Sequence, residues 1–416
     1  MPSARFAAAF LAGLLLPAAS RADGPGLARA TPEMLRAPRV EPAPGFSAEG
    51  MEAVFYDALP WKGKPTRTFA WIGMPRVEPG AKVPGIVLVH GGGGTAFEDW
   101  VRLWTGRGYA AIAMDTCGTV PRGSYGKWDR HDAGGPPGPD FAASDQPVED
   151  QWPYHAAADL ILAHSLLRSR PEVDPNRIGL TGISWGGYLT CLVSGLDDRF
   201  RFAVPVYGCG FLGENSTWKP ELEKLGERGQ RWLDLWDPKH YLPHGKMPKL
   251  WVTGTNDFAY PLDSLMKSVK VAGGSSTLCI RPRMPHGHGG AGENPEEIHA
   301  FADGILRGGK SLASFDYFES DGNILSVGFR GEIPITKLEL MWTKDSGPWK
   351  DRRWEATEVP ITAKATNLFG DPIKIPAGTG TAPLPFGSTA SYWNLTDQRG
   401  LVVSSRFWPI KTGQGD

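Results

Sequence analysis

Along the chain, unbroken apolar runs alternate with stretches of helical period, and this alternation stops about three quarters of the way through. The first such run is Val83-Pro-Gly-Ile-Val-Leu-Val89, followed by His90 and four glycines. A strand apolar at every position, rather than at every second one, is covered on both faces, as in a parallel sheet. Residues 97–108 predict a helix closed by glycine, and residues 109–114 a second buried strand ending at Asp115. Upstream, residues 51–58 and 67–74 predict two strands behind a Pro-rich leader at 31–44. Residues 116–146 have no periodicity, and their Gly, Pro and Asp content predicts a long loop at the carboxyl edge of the sheet. Helical spacing returns over 148–169, and strand patterns recur at 178–183, 202–207, 249–253 and 276–282. Between them, residues 208–248 carry Trp218, Trp232 and Trp236 among charged residues, which predicts a helical insertion; residues 295–307 predict a last helix.

Beyond Gly309 the segments at 324–329, 336–343, 353–359, 388–396 and 401–407 are short, alternating and separated by Gly, Pro or Asp. Strands alternating with helices predict an α/β fold with a mainly parallel sheet and helices on both faces. The last hundred residues predict a β-sandwich. The expected organisation is a catalytic domain over 23–310 with loop insertions at 117–147 and 210–248, then a β-sandwich module over 311–416.

The strand at 178–183 runs into Gly182-Ile-Ser-Trp-Gly-Gly187 and then into a small, apolar, helix-like stretch. Glycine is abundant enough here that about 0.4 chance matches to G-x-S-x-G are expected, so the motif counts only through its setting between strand and helix. In that setting Ser184 is a nucleophile on a strained turn, with its hydroxyl above the sheet edge. Serine needs a base to take its proton, and the base an acid to hold its tautomer. Asp257, after the strand pattern in Leu250-Trp-Val-Thr-Gly-Thr-Asn-Asp257, is the candidate acid. The base comes from Met284-Pro-His-Gly-His-Gly289: His286 emerges first and is followed by Gly287, and His288 is the alternative base. His-x-His with Glu293 has the donor chemistry for a metal but no third ligand at a recognisable spacing, so neither metal nor organic cofactor is expected. For the oxyanion of an acyl-transfer intermediate, the backbone N–H of Trp185 and one from the glycine run, with Gly92 favoured over Gly91 and Gly93, are the candidate donors.

Charge and composition narrow the partners. With 44 Lys and Arg against 45 Asp and Glu the net charge is −1, which supplies no basic field for nucleic acid or an anionic membrane. No later segment has the apolar length of a membrane span. Residues 1–22 place Arg5 before an apolar run and end in small residues, the pattern of a signal peptide, so a secreted or periplasmic protein is expected. Cys117, Cys191, Cys209 and Cys279 have no metal spacing and are too sparse for a disulfide framework; buried thiols are expected. The 16 tryptophans suit sugar faces as well as cores.

These motifs resemble those of the α/β-hydrolase superfamily, and within it the branch shared by prolyl oligopeptidase-like enzymes, dienelactone hydrolases and bacterial acetyl xylan esterases. The resemblance spans residues 83–312 and rests on His90-Gly-Gly-Gly-Gly, Pro171-Glu-Val-Asp-Pro-Asn-Arg-Ile-Gly-Leu-Thr-Gly-Ile-Ser-Trp-Gly-Gly, Gly254-Thr-Asn-Asp-Phe-Ala-Tyr-Pro and Pro285-His-Gly-His-Gly. Phe301-Ala-Asp-Gly-Ile-Leu and Asn394-Leu-Thr-Asp-Gln-Arg-Gly-Leu-Val-Val-Ser-Ser are similar to stretches of secreted bacterial hydrolases of the acetyl xylan esterase-like or pathogenicity-related kind. The resemblance implies a Ser184, His286, Asp257 triad and an acyl-enzyme, with a carbohydrate or other small-molecule ester as substrate. Two departures bear on the substrate. Fewer than a hundred residues precede the first clear sheet strand, too few for the β-propeller of prolyl oligopeptidases. Trp185 also stands where the acetyl xylan esterases usually carry a more polar residue. The alternatives are a serine peptidase and a non-catalytic binding protein on a hydrolase fold, the latter disfavoured by an intact set of Ser184, Asp257 and His286.

Overall fold

A computed structural model of the chain describes residues 25–366, 372–406 and 408–409, so the leader expected at residues 1–22 lies outside the described residues. Three antiparallel strands, β1 (Val40–Pro42), β2 (Met51–Trp61) and β3 (Lys64–Gly73), begin the main sheet. Next come β4 (Val83–Val89), α1 (Glu98–Gly106), β5 (Ala110–Met114) and a hairpin of β6 (Thr119–Ser124) and β7 (Lys127–Arg130). The chain continues through α2 (Trp152–Arg168), β8 (Val173–Ile183), α3 (Trp185–Ser194) and β9 (Ala203–Val206). Three helices, α4 (Leu212–Asn215), α5 (Lys219–Lys224) and α6 (Glu227–Trp236), form the insertion before β10 (Lys249–Gly254), α7 (Leu262–Val271), β11 (Ser276–Arg281) and α8 (Glu296–Leu306).

The order across the sheet is β1-β2-β3-β5-β4-β8-β9-β10-β11, antiparallel as far as β5 and parallel from there to β11. Every residue of β4, β5 and β10 is buried, as the unbroken apolar runs of β4 and β5 require; in β10 the buried Lys249 ammonium donates to the Gly245 and Gly273 carbonyls. β4 lies between β5 and β8, so the loops leaving β4 and β8 open to opposite sides and leave a crevice at their carboxyl ends, where open α/β sheets bind ligands. Helix α2 is buried on almost all sides because the N-terminal segment covers it, with Met34 buried and its carbonyl accepting from Ser165 Oγ at 2.8 Å.

The C-terminal strands are β12 (Ser314–Asp321), β13 (Ile324–Arg330), β14 (Ile335–Thr343), β15 (Glu355–Glu358), β16 (Thr362–Thr366), β17 (Pro372–Pro383), β18 (Ala390–Asp397) and β19 (Val402–Ser404). They form two sheets, β12-β13-β17-β16 and β19-β18-β14-β15, which share a core of Val327, Phe329, Leu338, Leu340, Trp393 and Leu395. Periodicity sets this region apart from the α/β domain, whereas the structure runs one of its sheets into the other edge to edge. β19 pairs with β11 at Leu278 and Ser404, giving one 14-stranded sheet when the short Trp408–Pro409 strand is included. Side chains reinforce the junction: Ser404 Oγ accepts from the Ile280 amide at 2.7 Å, and Glu297 Oε1 accepts from the Val402 amide at 2.8 Å.

Several elements differ from the sequence expectation, α7, β12 and β16 among them. The expected loop at 116–146 contains the β6–β7 hairpin, and β17 carries no clear strand signature. The second case has a steric reason: a Cβ at Gly378 would lie 2.7 Å from the Phe329 ring and one at Gly380 2.1 Å from Leu338 Cδ2, so close packing demands glycine where strand propensity would want a branched residue. All four cysteines are free, three of them buried and Cys117 half-buried.

Candidate active site

Strand β8 ends at Ile183 and helix α3 begins at Trp185, which leaves Ser184 between them at φ 57°, ψ −116°. A non-glycine residue held there is strained, and only dense surroundings keep it so. A Cβ at Gly182 would sit 2.2 Å from the Gly186 carbonyl oxygen, and one at Gly186 would sit 2.0 Å from that of Val89. Glycine at these two positions lets the turn close against β4. The hydroxyl-bearing residue is thereby lifted to the sheet edge, half-buried and facing a cavity of about 310 Å³.

Ser184, Trp185, Gly92, His286 and His288 all line this cavity. Asp257, on the turn after β10, accepts from the amides of Ala259 and Tyr260 at 2.9 and 2.7 Å through Oδ1. Its Oδ2 lies 2.6 Å from His286 Nδ1. A carboxylate so held keeps the proton on Nδ1 and leaves Nε2 with a free lone pair on the cavity side. The His286 ring stacks on Tyr207, with centroids 4.6 Å apart, and meets Phe258 at 4.8 Å. Tyr207 in turn donates to the Pro285 carbonyl at 2.6 Å, so the loop carrying His286 is held from below. Ser184 and His286 face each other across the cavity without a direct hydrogen bond, as unliganded serine hydrolases often do.

The geometry separates the two histidines. The Gly91 amide can only donate, and it donates to His288 Nε2 at 3.0 Å, so that nitrogen carries no proton. The proton is then on Nδ1, which donates to Glu293 Oε1 at 2.9 Å. Both ring nitrogens of His288 are committed, and burial among Phe97 and Trp100 lowers its pKa further. A neutral imidazole with its lone pair already engaged is poorly placed to take a proton from serine.

The same logic fixes the glycine loop. The Thr116 amide donates to His90 Nε2 at 3.0 Å, so His90 carries its proton on Nδ1 and donates it to the Gly91 carbonyl at 2.8 Å. Gly91 is therefore held by a histidine at each end of its residue. In a trans peptide the next N–H points away from the preceding C=O, so anchoring the Gly91 carbonyl fixes the direction of the Gly92 amide. The hairpin adds three bonds: Tyr125 Oη to the Gly92 carbonyl, and Trp128 Nε1 and the Gly126 amide to the Gly93 carbonyl, each 2.8 Å. Among the described residues the amides of Gly92 and Trp185 have no protein acceptor. Trp185 opens its helix, and the carbonyl four residues back belongs to strand β8, so its N–H has no intrahelical partner. The Trp185 indole also explains glycine at 92, since a Cβ there would lie 2.8 Å from Trp185 Cδ1.

Ser184, Trp185, Gly92, His286 and His288 thus line one cavity with Asp257 bonded behind His286, and several residues the sequence did not single out support them: Tyr207, Phe258, the ring of His90, and Glu293 as a partner of His288. The aromatic neighbours were visible as composition but not as contacts. Among the aromatic residues of the long loop and the insertion, Tyr125 and Trp218 line the cavity. Trp128 caps the glycine loop instead, and Trp232 is fully buried against Phe141 and Tyr188.

Two family models match the chain, the prolyl oligopeptidase family over residues 134–304 and acetyl xylan esterase over residues 51–216. An uncharacterized peptidase, YuxL, of Bacillus subtilis (strain 168) is 26% identical over 238 residues, 52% of this chain and 33% of that protein. The matched part thus spans about a third of this curated relative's length. Acetyl xylan esterase from Paenibacillus sp. R4 superposes with a TM-score of 0.52 at 22% identity, covering 64% of this chain and 88% of that one. Acetyl xylan esterase 1 from Thermoanaerobacterium sp. JW/SL YS485 gives 0.51 at 17% identity, covering 66% and 90%. The two structures share the fold, and both family matches run across the turn at Ser184. The family matches and the shared fold together support a serine hydrolase with the α/β-hydrolase fold.

Proposed function

We propose that the protein is an exported carboxylic ester hydrolase that removes small acyl groups, acetyl above all, from carbohydrate. His286 Nε2 takes the Ser184 proton as Oγ attacks the ester carbonyl carbon, and the negative charge moves to the carbonyl oxygen. The Gly92 and Trp185 amides receive that oxyanion. Collapse expels the sugar hydroxyl, which leaves with the proton held by His286, and Ser184 carries the acyl group. Water then attacks with His286 again as base, and the free acid departs. Asp257 keeps the imidazole oriented and stabilises its charged form.

The observation that carries this reading is the Asp257–His286 bond of 2.6 Å beside a cavity that also holds Ser184. The cavity, about 310 Å³ and walled by Tyr125, Trp185, Trp218 and Phe258, has room for the acyl group of an ester, and the acetyl xylan esterase family match supports the choice of acetyl. The test is a panel of p-nitrophenyl acetate, p-nitrophenyl octanoate, acetylated xylan and aminoacyl anilides, run with wild type and Ser184→Ala. The expected result is preference for acetyl esters and a loss of about three to six orders of magnitude in the variant. Faster cleavage of the anilides would make the protein a peptidase. A Ser184→Ala variant with more than a tenth of wild-type turnover would remove this serine from the chemistry.

A further inference from the structure

Next to the acyl cavity lies a second, larger cleft of about 610 Å³, and the C-terminal strands contribute one of its walls. One side is Asn215 and Thr217 from the insertion, with Phe258 from the turn that carries the catalytic acid. The other side is the loop between β14 and β15, which brings Trp349, Lys350 and Arg352. Phe258 lines both cavities: it packs on His286 and is still 56% exposed. The two spaces therefore share Phe258 as a wall, and Asp257, the partner of His286, lines the larger one.

The far wall is fixed in place. Asn256, next in sequence to Asp257, donates from Nδ2 to the carbonyls of Lys350 and Arg352 at 2.8 and 2.7 Å. Arg352 lies flat on the Trp349 ring, 3.5 Å from its centroid, and donates through Nε to the Gly347 carbonyl at 2.8 Å. Hydrogen bonds made by the neighbour of the catalytic acid thus hold an aromatic and cationic surface beside the active site.

We propose that this cleft is the leaving-group subsite and that its occupant is the saccharide of the ester, several sugar units long. The inference rests on the esterase reading above. A sugar ring offers apolar C–H faces and a rim of hydroxyls, and the cleft offers the complement of each. Phe258 and the Trp349 ring supply flat apolar surface, and Arg352, stacked on Trp349, a planar cationic one. Asn215, Thr217 and Lys350 supply donors and acceptors at its edges. An acyl chain would have no use for that polar rim, and the acyl group already has the smaller cavity. On this view the C-terminal strands are part of substrate recognition.

The experiment uses the full-length protein and compares acetylated xylotetraose with p-nitrophenyl acetate, whose leaving group is too small to cross the cleft. Trp349→Ala and Lys350→Ala are each expected to lower the ratio of kcat/KM for the saccharide ester to that for p-nitrophenyl acetate. The expected fall is about tenfold for Trp349→Ala and a few-fold for Lys350→Ala. Calorimetric titration of Ser184→Ala with unacetylated xylotetraose should show binding, weakened in the Ser184→Ala, Trp349→Ala double variant. This binding measurement is independent of catalysis, and melting curves identify any variant that fails to fold. An unchanged ratio in both variants, together with unaltered xylotetraose binding, would overturn the subsite while leaving the esterase reading intact. A wild-type protein that cleaves p-nitrophenyl acetate but no acetylated oligosaccharide would overturn the carbohydrate reading and the subsite with it.

Discussion

Replacing His288 with alanine tests the division of labour between the two histidines. In the structure His288 is a positioning residue: it accepts the Gly91 amide at 3.0 Å and donates to Glu293 at 2.9 Å. Alanine leaves the Gly91 N–H without its partner, which costs about 1–3 kcal/mol when the group stays buried. If the whole cost fell on the transition state, the rate would drop by about 5- to 150-fold. The loop keeps its other anchors, His90 on the Gly91 carbonyl and Tyr125, Trp128 and Gly126 on the next two carbonyls. The expected loss in kcat/KM is therefore in the lower part of that range, about 5- to 30-fold. His286→Ala removes the proposed base and should cost about three to six orders of magnitude. The assay is p-nitrophenyl acetate hydrolysis by both variants under identical conditions. His288→Gln, whose amide can accept from Gly91 and donate to Glu293, should recover part of the loss although it cannot act as a base. A His288→Ala variant as inactive as His286→Ala, with no recovery by glutamine, would refute this reasoning and transfer the base to His288.

Other expectations are sharp enough to check. Asp257→Asn preserves shape but offers an amide where the His286 tautomer needs a carboxylate, and turnover should fall by about ten-thousand-fold with little change in melting temperature. Gly186→Ala brings a methyl group to 2.0 Å from the Val89 carbonyl oxygen, and urea unfolding should show a destabilisation of about 2–4 kcal/mol; a change below 1 kcal/mol would mean the elbow relaxes freely. Burial pulls the His164 imidazole down to about 4, against an ordinary value near 6.5. Between those values the unfolded chain binds more protons than the folded one, so stability should be lost as pH falls from about 6.5 toward 4. His164→Gln, which can still donate to Asp197, should flatten that slope in pH-dependent melting curves, and an identical slope would show that other groups dominate.

Much of the catalytic core was legible because its signals are local. Continuous apolar runs announce strands covered on both faces, and the glycines around Ser184 are demanded by contacts within one strand–turn–helix unit. The order of serine, acid and histidine follows the strands that carry them. The β6–β7 hairpin was less visible, since Pro, Arg, Asp and Gly in a short exposed ribbon resemble a loop in composition. Helix α7 was legible in principle: Leu262, Leu265 and Val269 lie on one face and all are buried.

By itself the sequence determined the strand–helix alternation, the nucleophile turn and the three residue types needed for acyl transfer, because each depends on neighbours within a few positions. Only the tertiary structure shows that both ring nitrogens of His288 are engaged while His286 meets Asp257. The bond that occupies His288 joins residues 197 apart, and the rotamer of an imidazole is set by whatever surrounds it after folding. The same holds for the loop locked by Asn256, 96 residues from Arg352, and for the edge at which β19 meets β11. A strand's unpaired edge is equally available to any other strand, so its partner is chosen by the packing of whole layers and leaves no mark in the periodicity of either segment.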